Sequence, residues 1–532
     1  MGQVSVVGAG AAGLATGALL ARDGHSVDIF EKNAEVGGRI GRIERDGFRF
    51  DTGPSWYLMP EVYDHFFALI GTSAAAELDL VPLDPAYTVF TDPQASTAPS
   101  VTAEAAPVTV PRGRDRVVAV FEGRESGAGR RLQAHLRSAA HAKSMAERLF
   151  LYNPFTSPLS VLDRALVPSL PSLTRLLTES LSRRAERTVA DPRLRQILQY
   201  PAVFLGTDPR RAPAIYHLMS SLDLDEGVDY PMGGFRTIVD ALTRLAERAG
   251  ARIHTSSEVD EIETETTGHG RPRVTGLRWT DAEGRRRRTG ADIVVSAADL
   301  HHTQTRLLPP ALRGRSEDRW SRMVSGPGAV LVLLGVTGDL PQLPHHSLFF
   351  TPDWEENFDA IFGPRPRVPH PASLYVCRPS ATDPSVAPPG CENLFVLVPV
   401  PADAGLGAGG PEGSGDPLIE RAADRAIARI AAWAGIPDLA ERIVVRHTIG
   451  PTDFARDYNS WLGGMLGPAH TLRQSAMFRT QNVSRTVDGL YFAGATTAPG
   501  VGVPMCLISA EVVLKHIRGD SSAGPLPVGD DS

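Results

Sequence analysis

Six residues, Gly8-Ala9-Gly10-Ala11-Ala12-Gly13, stand between a short apolar run, Val4 to Val7, and a small-residue stretch from Leu14 to Ala21. Strand, tight turn and helix start in that order make a seat for a pyrophosphate. Gly8 permits the turn, Gly10 lets backbone approach the phosphates, and Gly13 lets the helix press against the strand. Ala12 falls among the first-turn amides on which the anion would rest. The next strand, Val27-Asp28-Ile29-Phe30, ends at Glu31, eighteen residues after Gly13, where an acid can accept hydrogen bonds from a ribose. Such charge-assisted bonds contribute roughly 1.5–3 kcal/mol each. Roughly 450 residues after this cradle comes a second glycine-rich set. Asp488 to Gly494 reads as a strand, and Pro499-Gly500-Val501-Gly502-Val503-Pro504 as the start of another helix. Both ends of the chain are read as serving one nucleotide ligand.

The elements that must hold these residues follow from pattern. The first 90 residues are βαβ-like, and 92–113, rich in Pro, Ala, Ser and Thr, reads as an extended loop. From 117 to 225 the pattern is helical, broken by Pro154, Pro158, Pro168 and Pro171. An amphipathic helix is expected over 238–249, then strands near 252–254 and 258–262, a hairpin around Asp281 to Gly284, and a buried strand at 293–299. Residues 310–450 mix strands with a helix over 418–434, and 404–417 is a Gly-rich loop. The chain therefore divides into a discontinuous nucleotide domain (1–90, 226–309 and 451–519), a helical section (117–225), a substrate domain (310–450) and a disordered tail (520–532).

Composition bounds the function. At 532 residues two or three domains are expected, and 42% hydrophobic with 22% charged residues fits a globular protein. A net charge of −7 gives no support for nucleic-acid binding. Cys377, Cys391 and Cys506 have neither metal spacing nor the makings of a disulfide framework, which points to a reducing cytoplasm. No basic residue precedes the apolar N-terminal stretch, so it is not read as a targeting peptide. The longest apolar runs, such as Ala329 to Leu334, fall far short of the roughly 20 residues that span a bilayer.

Further segments carry a resemblance: Val36-Gly37-Gly38-Arg39, Gly47 to Ser55, Tyr230-Pro231-Met232-Gly233-Gly234, Asp457 to Trp461, Leu472 to Ser475, and Gly489 to Met505. Over nearly its whole length the chain resembles the FAD-dependent carotenoid (phytoene-type) desaturases of the flavin amine oxidase-like group. The resemblance implies an α/β fold. Its parts would be a Rossmann-like FAD-binding domain, built as a doubly wound parallel sheet with a β-meander, a mixed α+β substrate domain, and a helical membrane-facing section. It implies that Glu31 and Lys32 face the adenosine ribose, and that Gly38 and Arg39 line the phosphate and ribityl side. Gly53, Pro54 and Ser55 would approach the flavin ring, and Val259 would meet adenine through its backbone. Gly494 and Ala495 would hold pyrophosphate, with Ala495 standing where many flavoproteins carry an acid. Gly502, Val503, Pro504 and Met505 would open a helix aimed at the pyrimidine edge of the flavin, where reduction adds negative charge.

The activity so implied is removal of two hydrogens from a long isoprenoid hydrocarbon, hydride passing to flavin N5 and a proton leaving the adjacent carbon. The flavin supplies the chemistry. No protein acid or base stands out: His301-His302 and His345-His346 read as surface or hairpin histidines, and no catalytic side chain or metal ligand is assigned. Arg285 to Arg288 reads as a solvated strand edge. Met232, Phe235 and Trp461 fit either tunnel lining or core. A carotene costs about 0.8 kcal/mol per CH₂ to place in water, so the enzyme is expected to dock peripherally on a membrane and draw substrate from it. The region expected to dock is 149–187, with Phe150, Leu151, Tyr152, Phe155, Leu159, Val161, Leu162, Leu166, Val167, Leu170, Leu173, Leu176 and Leu177, followed by Arg183, Arg184 and Arg187. With no second nucleotide motif, oxygen or a quinone is expected to take the electrons. A redox-neutral carotene isomerase using reduced FAD, a carotenoid ketolase and a later-step desaturase remain open. An amine oxidase ranks below them, and a non-catalytic lipid carrier last.

Overall fold

A computed structural model describes residues 2–93, 106–156, 170–266 and 270–528. Five short strands form one parallel sheet, in the spatial order Leu490–Phe492, Ile293–Ser296, Gln3–Val7, Ser26–Phe30 and Arg252–His254. Its members come from three distant parts of the chain. The helix Ala11–Arg22 packs on this sheet and against the helices Arg236–Arg248 and Val503–Arg518. Its residues from Ala11 to Ala21 are all buried, which small side chains allow. A Cβ on Gly17 would stand 2.5 Å from Ile29 Cδ1, so an alanine there would force the Ile29 side chain to shift. A three-stranded antiparallel meander, Glu258–Glu265, Arg273–Thr280 and Arg286–Gly290, flanks the sheet. Arg285 and Arg287 pair with Asp281 and Arg288 with Glu263, all three arginines being solvent-exposed.

The second sheet is larger and mixed. Its order is Ile443–Ile449, Gly328–Thr337, Cys391–Val400, Leu374–Cys377, His346–Phe350, Tyr87–Thr91 and Val108–Val110. Period-two alternation sorts its residues by face. Val330, Val332, Leu334 and Val336 pack under the helix Pro417–Ala434, whereas Ala329, Leu331 and Leu333 face the other way. Opposite that second face stand the helical pieces of 114–204, beginning with Arg114–Arg124 and Ala128–Ala146. Among the described residues no helix is long and apolar enough to cross a membrane.

Two expectations change. The stretch 92–113, read as loop, contributes the edge strand Val108–Val110, because Val108 and Val110 alternate inward around Thr109; residues 94–105 of that stretch lie outside the described residues. The tail read as disordered from 520 is ordered through 528. Lys515, fully buried, donates to the carbonyls of Tyr152 (2.9 Å), Ser522 (2.5 Å) and Gly524 (2.8 Å). Leu526 is buried, and its amide donates to Glu511 Oε1 at 2.6 Å. A buried ammonium must be satisfied, and this one is satisfied by folding the tail over it.

Candidate active site

A single cavity of about 690 Å³ runs from the parallel sheet to the large mixed one. At its first end the backbone turns at Gly8, with φ +95°, and the helix Ala11–Arg22 opens with no side-chain cap and no acid in its first turn. Its first amides are left free for an anion. Glu31 is buried beside them, accepting from the amides of Ala9 (2.8 Å) and Asn33 (3.0 Å). Lys32 lines the cavity and its ammonium donates to the Arg456 carbonyl at 2.5 Å. Gly37 donates to the Ala9 carbonyl at 2.8 Å, which lays Gly38, at φ +55°, and Arg39 along the cradle. Arg39 donates to Ser460 Oγ at 2.6 Å and lies 3.9 Å from the buried Asp299 carboxylate.

Of the residues expected from sequence, Gly8, Gly10, Ala12, Glu31, Lys32, Gly38, Arg39, Gly53, Pro54, Ser55, Val259, Gly494, Ala495, Gly502, Val503, Pro504 and Met505 all line this one cavity. Gly13 does not. A Cβ on it would sit 1.9 Å from the Gly8 carbonyl oxygen, so it packs helix onto turn. Gly53 is equally confined, 1.9 Å from the Arg39 carbonyl oxygen. Gly494, at φ +106°, donates to Ser509 Oγ at 2.9 Å. The Ala495 carbonyl accepts from Arg479 at 2.7 Å. That guanidinium is buried among carbonyls of Ala495, Thr497, Pro468 and Gln474, and burial pulls it down to about 10. The helix Val503–Arg518 also opens on the cavity uncapped and without a first-turn acid. A glycine cradle, a buried acid and two open helix starts fit a dinucleotide, with one helix start left over for a reducible ring.

The far wall is apolar. Leu331, Leu397 and Phe395 come from the mixed sheet, Val203 and Phe204 from a short helix, and Phe150, Leu173 and Leu177 from the helical section. Met232, Phe235 and Trp461 do not line the cavity; they pack in the core. Leu159, Val161, Leu162, Leu166 and Val167 of the expected docking region lie outside the described residues, as does the side chain of Leu170. Leu149, Tyr152 and Leu176 are buried. Charged groups reach the cavity beside the apolar wall. Lys143 donates to Glu226 (2.7 Å), pairs with Glu61 (2.8 Å) and lies 3.6 Å from Glu147, whose carboxyl burial pushes up to about 7.

Several participants escaped the sequence reading. Asp299 caps a helical turn by accepting from His301 and His302 amides at the cavity edge, and burial raises its carboxyl. His302 lines the cavity and burial lowers it to about 4. His345 and His346, read as surface or hairpin histidines, are buried to 4% and 0% exposure. The cause is strand pairing: His346–Phe350 is an interior strand, between Leu374–Cys377 and Tyr87–Thr91. The His346 ring stacks on Trp56 at 4.6 Å. One ring nitrogen of each histidine and Cys377 Sγ lie within 4.8 Å of one another.

The flavin-containing amine oxidoreductase family model matches residues 11–513. The carotenoid 3,4-desaturase of Haloarcula japonica is 39% identical over 509 residues, covering 96% of each chain. The phytoene desaturase of Fusarium fujikuroi is 32% identical over 535 residues, covering 98% of this chain and 90% of its own. Putrescine oxidase, solved with putrescine bound, superposes with a TM-score of 0.59 at 15% identity over 97% and 99% of the two chains, a likeness of fold alone. The chain is an FAD-dependent oxidoreductase and belongs to the flavin-containing amine oxidoreductase family, among its carotenoid desaturases.

Proposed function

We propose that this protein desaturates a carotenoid, taking a hydride from an allylic carbon and a proton from its neighbour. The observation that carries this is the cavity itself, in which a nucleotide-type wall and a long apolar wall face one space. Bound FAD supplies the hydride acceptor. Around it, Gly8, Gly10, Ala12 and Gly494 seat the pyrophosphate with Ala495. Glu31 and Lys32 meet the adenosine ribose, and Val259 the adenine. Gly38 and Arg39 hold the phosphate and ribityl side, while Gly53, Pro54 and Ser55 press on the ring. Gly502, Val503, Pro504 and Met505 would bring a helix start to the ring's pyrimidine edge, where the amides of Gly502, Val503 and Met505 would stabilise negative charge and Pro504, which has no N–H, would fix the first turn. The apolar wall orients the chain and excludes water. The decisive experiment incubates purified protein, FAD and liposomes carrying phytoene or a later carotenoid, and follows visible spectrum and product mass. Loss of hydrogen pairs supports desaturation. Unchanged mass with altered geometry means isomerase, and gain of oxygen means ketolase; either sinks the proposal.

Substrate delivery follows from the same chemistry. The enzyme docks peripherally on a bilayer through 149–187, where Phe150, Leu173 and Leu177 border the cavity, and an oxidant of the oxygen or quinone class takes the electrons. Liposome flotation that is unchanged when this segment is charged or deleted removes the docking idea. A second reading, a later-step desaturase acting on a carotenoid that carries an oxygen function, is favoured by Lys143 and Glu147. Both line the cavity, where they would meet the polar end of such a carotenoid. Equal turnover of hydroxylated and purely hydrocarbon carotenoids would dismiss it.

A further inference from the structure

The cavity wall beside Gly53 carries a hydrogen-bonded chain that leads inward. Ser55 Oγ lies 2.6 Å from the Tyr375 hydroxyl, and that hydroxyl lies 2.8 Å from His346 Nδ1. Ser55 and Tyr375 line the cavity, while His346 lies wholly behind them. Tyr375 is placed by strand parity: it lies two residues before Cys377, which pairs directly with His346 across adjacent strands. Trp56 stacked on the imidazole fixes its plane. His346 Nε2 is buried without a hydrogen-bond partner.

We propose that Ser55, Tyr375 and His346 form the proton acceptor of the desaturation, with Ser55 touching the reacting carbon and His346 holding the proton. The inference rests on the desaturase reading above. Removing hydride from an allylic carbon leaves the adjacent C–H bond strongly acidic, so a weak base suffices to take its proton. As that C–H bond breaks, its electron pair forms the new C=C bond. Its proton bonds to Ser55 Oγ, the Ser55 proton passes to the Tyr375 oxygen, and the Tyr375 proton passes to Nδ1. One hydride has then gone to the bound flavin and one proton to the imidazole. The oxygen- or quinone-class oxidant that restores the flavin takes up both, and the proton leaves by the same three groups.

The surroundings suit a transient store. Burial holds His346 far below its ordinary value, and the one titratable neighbour adding to this is His345, itself pulled down to about 3. His345 Nδ1 is occupied by Thr382 Oγ1 at 2.8 Å. The Cys377 thiol is pushed up to about 12 by burial and stays protonated. An imidazolium formed here is therefore unstable and gives its proton back readily.

The first test needs no turnover. ¹⁵N-histidine NMR of the FAD-loaded protein should show His346 with Nδ1 bare and the proton on Nε2. A proton on Nδ1 would mean the chain cannot accept, and the relay is wrong. Elemental analysis showing one metal ion per chain, lost in Cys377→Ser, would likewise overturn it, since the ion would occupy the histidines. With carotenoid, Tyr375→Phe should slow single-turnover product formation about 100-fold and abolish a solvent deuterium isotope effect, leaving FAD content and carotenoid affinity unchanged. Ser55→Ala should follow it and Ser55→Thr recover. Unchanged rates and isotope effect in Tyr375→Phe would overturn the relay while desaturation stands. A wild-type protein that converts no carotenoid would take down both.

Discussion

The two walls of the cavity differ in how much room the backbone leaves. On the glycine-rich side, one added methyl on Gly53, or on Gly13 packed behind the wall, would come within 1.9 Å of a carbonyl oxygen. On the carotenoid side, side chains stop short of one another and enclose about 690 Å³ together with the nucleotide groove. In the proposed reading one wall recognises its ligand by backbone approach, and the other by leaving space among apolar side chains. Recognition by backbone tolerates no substitution at the point of contact. Recognition by space tolerates many, provided the volume is kept.

That contrast can be broken in order of severity. Gly13→Val should abolish flavin retention altogether, because helix and turn can no longer meet; purified variant that still carries stoichiometric flavin by absorbance would erase the distinction. Val203→Trp should do the reverse. Turnover of a carotenoid falls about 100-fold as the chain is displaced from its reacting position, while flavin content is unchanged, and loss of flavin here would show the walls are not separable. Glu31→Gln should weaken FAD binding about 10- to 100-fold, measured by fluorescence titration, with turnover restored at saturating FAD. The smallest effect concerns Asp223, on the carotenoid side. Its buried carboxyl accepts from the Tyr87 hydroxyl at 3.0 Å and is pushed up to about 7 by burial. A raised folded value means its favourable contribution is full below the ordinary 3.8 and fades as pH rises through about 7. Asp223→Asn should therefore melt about 2 °C above wild type at pH 8 and not at pH 5. A melting difference independent of pH would show that ionisation there is irrelevant.

The glycine-rich wall of the candidate site was legible in the sequence because its residues are marked locally. Gly8, Gly10, Glu31 and Gly494 announce themselves by residue type at the ends of short apolar strands. The other wall was not, because it depends on parity and pairing. Leu331 faces the cavity and Val330 the helix behind it, although both are large aliphatics in one run. His346 is buried because its strand pairs in parallel with Tyr87–Thr91, a contact spanning more than 250 residues. Nothing local in the sequence distinguishes Tyr375, and only register places it between Ser55 and His346. The tail misled in the opposite sense. Its Asp, Ser and Gly read as unfolded, whereas one buried lysine tens of ångströms of chain earlier (about 3.4 Å per residue) sets its path.

The position of Leu490–Phe492 at the rim of the parallel sheet governs when the molecule can be completed during its synthesis. The four other strands of that sheet end by Ser296, yet Gly494 and the Gly502 helix start follow the rim strand. A chain still emerging from the ribosome can thus assemble most of the sheet and cannot enclose its cofactor. A product stopped before residue 490 lacks the rim strand, Gly494 and the second helix start, and is left without a closed site however much FAD the cell holds.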